Sequence, residues 1–141
     1  MNTRTLLNLS LPALLVAGAT MAGASARAAA DARAANAMAA KAEKSLSKRD
    51  TGAAVAWAER AVSLSPQDAA HRALLGRSYL RAGRFESARA TLEEAVRLDG
   101  REGPTALNLV LAEIATGDWA GARRTLDEHA EKIGAADRGL A

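Results

Sequence analysis

At 141 residues, 49% hydrophobic and 25% charged, the chain has room for one modest globular domain and is not composed like a disordered one. It has no cysteine, which excludes disulfides, thiolate metal sites and a cysteine nucleophile, and 19 basic residues against 16 acidic ones leave a net charge of +3 that does not by itself point to nucleic acid. Alanine and leucine supply most of the apolar content while aromatics are only 3%, a mixture of strong helix formers with few strand formers, so the chain is expected to be all-α.

The first element in chain order is an address. Arg4 stands in a short basic region, an apolar stretch runs from Leu6 to about Ala22, and Ala24, Ser25 and Ala26 have the small-residue form that signal peptidase accepts. Residues 1–26 read as a cleaved signal peptide, with cuts after Ala28 or Ala30 as alternative frames, and residues 27–34 as an alanine-rich lead-in. An uncleaved inner-membrane anchor is the alternative, since an apolar run of about twenty residues could just cross a bilayer. Pro12 and Asn8 interrupt the run, and its second half is Ala, Gly, Thr and Ser, which favours cleavage. The pattern is of bacterial type; the expected destination is the periplasm, with no stable membrane span left after cleavage.

From residue 35 the chain is periodic at a shift of 34. Gly83 returns as Gly117, Phe85 as Trp119, Ala88 as Ala122, Thr91 as Thr125 and Leu92 as Leu126, while Ala88 and Ala95 look back to Ala54 and Ala61. The units are 35–68, 69–102 and 103–136, punctuated by Pro66, Gly100 and Gly134, with a short tail at 137–141. In the middle unit Leu75, Gly76, Tyr79, Ala88, Leu92 and Ala95 stand at the signature places of the tetratricopeptide repeat, which the 35–136 region resembles. The third unit departs from that pattern with Val110 and Glu113 in place of Gly76 and Tyr79, and the first keeps little beyond Ala42, Ala54, Ala61 and Pro66. The resemblance implies an α-solenoid of about three antiparallel helix hairpins.

Two antiparallel helices pack closely where small residues let their backbones approach, so Gly76, Ala88 and Ala95 are expected contact points, with Leu75, Tyr79 and Leu92 filling the space around them. Gly83 supplies the left-handed residue that ends one helix before Phe85 begins the next, and Asp68 is placed to cap the middle unit and to pair with Arg72. His129 is expected to be exposed at the end of the solenoid.

Nothing in the sequence assembles a catalytic or metal site. His71 and His129 stand on different repeats without a carboxylate at ligand spacing, and Ser45-Leu46-Ser47-Lys48 matches S-x-x-K without its companion motifs. There is no phosphate-binding glycine loop. The chain is expected not to be an enzyme and to need no cofactor or metal.

The arginines divide into two groups. Glu86, Arg89, Glu93 and Arg97 are spaced to lace one helix face. Arg77 and Arg81, four apart on the face away from Leu75 and Tyr79, have no acid within a helical turn. In proteins of the resembled family that face lines a concave groove for a peptide segment, and the corresponding places are Ala73, Arg77, Leu80 and Arg81, with Glu43 in the first unit and Leu107, Leu111 and Ile114 in the third. The asparagine and lysine carboxylate clamp of chaperone-binding members is not reproduced, because Ala39 and Glu43 stand in the first helix and Leu107 and Leu111 in the third. The leading expectation is an exported adaptor that holds a protein segment carrying an acidic group beside leucine-like side chains. The alternative is a structural protein that self-associates into homo-oligomers through Leu107, Leu111 and Ile114, unless the tail from Gly134 covers them. The scarcity of stacking aromatics argues against a nucleic-acid partner.

Overall fold

The computed structural model describes residues 11–99 and 103–138, with side chains described for 23–99 and 103–134. Among the described residues six helices follow one another: α1 Leu11–Ser47, α2 Thr51–Leu64, α3 Ala69–Arg81, α4 Phe85–Leu98, α5 Gly103–Thr116 and α6 Trp119–Arg138. No strand occurs among the described residues. The basic start of the expected leader lies outside them. Residues 27–34, the lead-in, are part of α1 and mostly exposed. Among the described residues no helix is long and apolar enough to cross a membrane.

Helix boundaries follow the repeat. Each hairpin turns through a left-handed residue, at Arg49 (φ 61°), Gly83 (φ 73°) and Gly117 (φ 82°), all at one position of the 34-residue unit. The next position is the N-cap of the second helix. Asp50 accepts the Ala53 N–H at 3.0 Å and Asp118 accepts the Gly121 N–H at 2.9 Å. Arg84, at the same place in the middle unit, caps α4 with no side-chain hydrogen bond. Asp68 caps α3 through the His71 N–H at 3.0 Å. The expected Asp68–Arg72 pair is not made, because the Arg72 guanidinium instead donates to the Pro66 carbonyl at 2.9 and 2.7 Å, bracing the turn into α3.

The helices pack as hairpins α1/α2, α3/α4 and α5/α6, and each hairpin stacks on the next through α2 against α3 and α4 against α5. Direct α1–α3 and α3–α5 contacts make the first helices one inner wall. Small residues sit where the backbones meet: Ala54, Ala58, Ala61, Ala88, Ala95 and Ala112 are wholly buried. A Cβ built on Gly76 would come within 2.5 Å of the Leu92 Cγ, so the α3–α4 approach needs a residue without a side chain there. Tyr79 is shared by the two apolar clusters, one around Leu74, Leu75 and Val55, the other around Leu92 and Leu109.

Three expectations at the ends of elements are corrected. Gly134 does not end the last unit, since α6 runs through it to Arg138. The chain from 134 to 138 therefore continues the outer helix and does not fold over the inner-wall leucines. His129 is half-buried rather than exposed, with Nδ1 enclosed and without a hydrogen-bond partner among the described residues. The cause is that α6 stays close to α5 this far along: a Cβ on Gly103 would lie 2.7 Å from the Lys132 carbonyl carbon. The charge lacing on α4 is also different in detail, as Arg89 meets Glu86, Glu93 and Asp118 while Arg97 takes Glu94, at 2.5 and 2.8 Å, rather than Glu93.

Glu113 departs furthest from the pattern. It occupies the place of Tyr79 in the third unit, is 2% exposed, and accepts the Thr125 hydroxyl on Oε1 at 3.0 Å while Oε2 has no hydrogen-bond partner among the described residues. Burial raises its carboxyl pKa above the ordinary range, against the lowering effect of the Thr125 hydrogen bond. A raised folded-state pKa means that the protonated form fits the core better. Its contribution to stability is complete below the unfolded pKa and is lost as pH rises through the folded one.

Three outcomes follow from this packing. Ala88→Phe lowers stability in a thermal or urea melt by about 1–3 kcal/mol through overpacking. Arg49→Gly raises it by about 1 kcal/mol, because glycine adopts positive φ without the steric cost that a side chain meets there. Glu113→Gln melts above the parent chain at neutral and alkaline pH, and the difference closes as the pH is lowered to about 4, where the parent carboxyl is protonated as well.

Candidate functional site

The inner wall is ruled into rows by the repeat, because residues 34 apart lie at the same height on α1, α3 and α5. One row is Glu43, Arg77 and Leu111; the next toward the hairpin turns is Ser47, Arg81 and Ala115. Between and beside these rows runs an open groove of about 520 Å³, lined by Glu43, Leu46 and Ser47 of α1, Arg77, Leu80 and Arg81 of α3, Phe85 of α4, and Asn108 and Leu111 of α5. Past the Glu43–Arg77 row the concavity continues as a smaller recess walled by Ala70, Ala73, Leu74, Pro104, Thr105 and Asn108.

Of the residues assigned to the groove from sequence, the structure gathers Glu43, Arg77, Leu80, Arg81 and Leu111 around the main groove and puts Ala73 in the recess. Leu107 and Ile114 are not part of either lining, although they are 44% and 39% exposed on α5. Phe85 and Asn108 were missed as groove residues. Phe85 belongs to the second helix of its hairpin, yet it stands just past the turn and leans over the groove end.

The expectation that Arg77 lacks a partner is corrected. Its Nη2 donates to Glu43 Oε1 across the groove in a short charge-assisted bond. The two side chains are 41% and 56% exposed, so the pair contributes little stability, at most about 1 kcal/mol. Its consequence is electrostatic. The middle row carries no net charge, and Arg81, exposed and without an acidic partner among the described residues, is the cation that the groove presents to a ligand.

Several other polar side chains of α1 and α3 are engaged within the fold. His71 is 5% exposed, with Nε2 3.1 Å from Asn36 Oδ1 and Nδ1 3.6 Å from Asp68 Oδ2, which ties α3 to α1. Ser47 donates its hydroxyl to the Lys44 carbonyl at 2.8 Å. Tyr79 donates its hydroxyl to Glu59 at 2.7 Å, and burial, followed by that hydrogen bond, raises its pKa. Among the described residues no three His, Asp or Glu side chains gather as a metal site would require. The surface can therefore grip an extended segment by apolar contact and one ion pair.

Comparison with protein families matches the tetratricopeptide repeat over residues 45–104. A search of curated proteins finds no match. Solved structures with the same fold include the second of the paired repeat domains of yeast Sti1 in complex with pHsp70, at 21% identity and a TM-score of 0.70, covering 76% of this chain and 86% of that one. The first repeat domain of Spaghetti (RPAP3), bound to the HSP90 peptide SRMEEVD, is 16% identical with a TM-score of 0.67, over 72% of this chain and 82% of that one. MamA from Desulfovibrio magneticus RS-1 is 24% identical with a TM-score of 0.65, over 72% of this chain and 57% of that one. At these identities the likeness is one of fold. The family match runs from the end of α1 to the start of α5, and the fold around it is that of the solved tetratricopeptide repeat domains.

Proposed function

We propose that the chain is an exported, non-catalytic interaction module of the bacterial periplasm that holds one protein segment in the groove between α1, α3 and α5. The observation that carries this reading is the juxtaposition of the unpaired Arg81 with Leu80, Phe85 and Leu111 in one open groove. A segment with a carboxylate beside one or two leucine-like side chains satisfies both halves of that surface. Support comes from the solved repeat domains that hold Hsp70 or HSP90 peptides. Their partners are not carried over, because Glu43, Leu107 and Leu111 stand here at places where a carboxylate clamp would need amide or amine donors. Export rests on the leader-like first 26 residues.

A second reading, self-association, draws on Leu107 and Ile114, which are exposed but lie outside the groove lining. Light scattering over a hundredfold range of concentration separates the two: the adaptor reading expects a constant monomer mass, and a mass that rises with concentration and falls back on Leu107→Asp favours self-association.

The groove reading itself is tested by affinity capture from the native envelope. Arg81→Glu is expected to weaken capture of the partner by about tenfold, roughly the worth of a charge-assisted contact, without changing the melt. Glu43→Gln is expected to strengthen capture, since it releases Arg77 to the ligand. Native-strength capture by both variants would remove the groove from consideration.

A further inference from the structure

The surface by which one hairpin stacks on the next recurs in the third unit, where it is uncovered among the described residues. In the second hairpin Leu80, Leu92 and Val96 pack in one cluster with Leu109 and Ala112 of α5, and Arg89 reaches past them to Asp118, the residue that caps α6. Phe85 shares a recess with Ala115 and Thr116 at the end of α5. One unit later the equivalent places are Ile114, Leu126, Ala130, Arg123 and Trp119. Leu92 is wholly buried, whereas Leu126 is 40%, Ile114 39% and Trp119 67% exposed. An apolar surface already shaped to receive a helix is left in solvent.

The two ends of the stack are not alike. Two units before Leu109 and Ala112, α1 carries Lys41 and Lys44, both exposed, and Lys41 lies 4.3 Å from the centre of the Trp57 ring. Stacking that face on another hairpin would desolvate two ammonium groups at places where leucine and alanine are required, so a second copy is barred from continuing the stack head to tail through α1. The α6 end has no such guard. Its cation is also underused: Arg89 meets Glu86, Glu93 and Asp118, while Arg123 keeps only the equivalent of Glu93, Asp127, at 4.0 Å, and its side chain is 87% exposed. Ala120 stands where Glu86 stood, and no acid of a stacked hairpin reaches Arg123 among the described residues.

We infer that this outer end of the third hairpin is a second interaction surface, which takes an amphipathic helix of a partner protein. That helix carries leucine and alanine three residues apart against Leu126 and Ile114, and an acid for Arg123 just beyond its end. The occupant is specified by the molecule's own stack, since α5 supplies these groups to α4. The inference goes beyond the groove reading: Ile114, Arg123 and Leu126 lie outside the groove lining, so one chain holds an extended segment inside and a helix at its end.

The probe that tests it is a labelled synthetic peptide of residues 103–121, which carries Leu109, Ala112 and Asp118 in their native order, titrated with the full chain by fluorescence anisotropy. The chain is expected to bind it, and to bind a version with Leu109→Lys and Ala112→Lys, the residues of the guarded end, at least about tenfold more weakly. Leu126→Asp in the chain gives a similar loss without changing the melt, and Arg81→Glu in the groove gives none. Arg123→Glu weakens the native peptide about tenfold and is rescued by Asp118→Lys in the peptide, a reciprocal recovery that a folding defect does not produce. No binding of the native peptide, equal binding of the lysine version, or binding untouched by both Leu126→Asp and Arg123→Glu overturns the inference and leaves the groove reading standing. A loss with Arg81→Glu of the same size assigns the peptide to the groove and overturns it as well. A mass in light scattering that rises with concentration and falls back on Leu126→Asp overturns it in favour of a second copy packed end to end. Binding to phosphatidylglycerol vesicles that Leu126→Asp abolishes overturns it in favour of a membrane surface.

Discussion

The architecture depends on how closely α4 can approach α3, and that distance is set by the absence of a side chain at Gly76. Leu92 fills the space that a Cβ would claim, and being wholly buried it carries the same contact onward to Leu109 and Ala112 of the next repeat. One close approach thus joins the hairpin and the stack. The buried alanines at 54, 58, 61, 88, 95 and 112 repeat this logic at lower resolution: each removes bulk where two helix surfaces meet, so that the larger side chains interlock around them. The interior is consequently poor in large residues and must be stabilised by repetition, since no single hairpin buries enough apolar surface to stand alone.

Stacking at matching heights has a functional corollary. It places residues one repeat apart side by side on the inner wall, so substitutions at a single repeat position become chemistry across a groove. Glu43, Arg77 and Leu111 are one such row, and the ion pair between the first two silences the centre of the wall. Charge survives at the next row and at the hairpin turns, where Arg81, Arg49 and Arg84 are free of acids among the described residues. Outside the repeats' mutual contacts the third hairpin is unfinished. Trp119 is 67% and Leu126 40% exposed, although Leu92, the equivalent of Leu126, is wholly buried by the repeat that follows it.

Much of the fold was legible in the sequence because the period and the local signals coincide. The starts of the second and third units at 69 and 103 are the starts of α3 and α5, the first of them marked by Asp68, which caps as expected. What escaped were contacts between repeats. Arg77 was judged by its own helical turn, whereas its acid stands one whole unit earlier; the His71–Asn36 bond likewise spans 35 residues. The shift of 34 that revealed the repeat was also the signal for the Glu43–Arg77 pair and for Arg49 at the glycine position, because equal places on successive units are neighbours. The burial of Glu113 was less accessible, since only a comparison with Tyr79 marks that place as interior. The expected end at Gly134 failed for a simple reason: glycine permits a helix to stop but does not compel it.

The most direct test of the account is a double-mutant cycle between α3 and α4. Gly76→Val, Leu92→Ala and the combination are measured by urea unfolding, so that the coupling between the two sites is obtained free of their separate costs. If the close approach governs the stack, the valine occupies room vacated by the leucine, and the double variant is less destabilised than the sum of the single ones by at least about 1 kcal/mol. Additive losses would mean that Gly76 and Leu92 do not share the contact on which the solenoid is built.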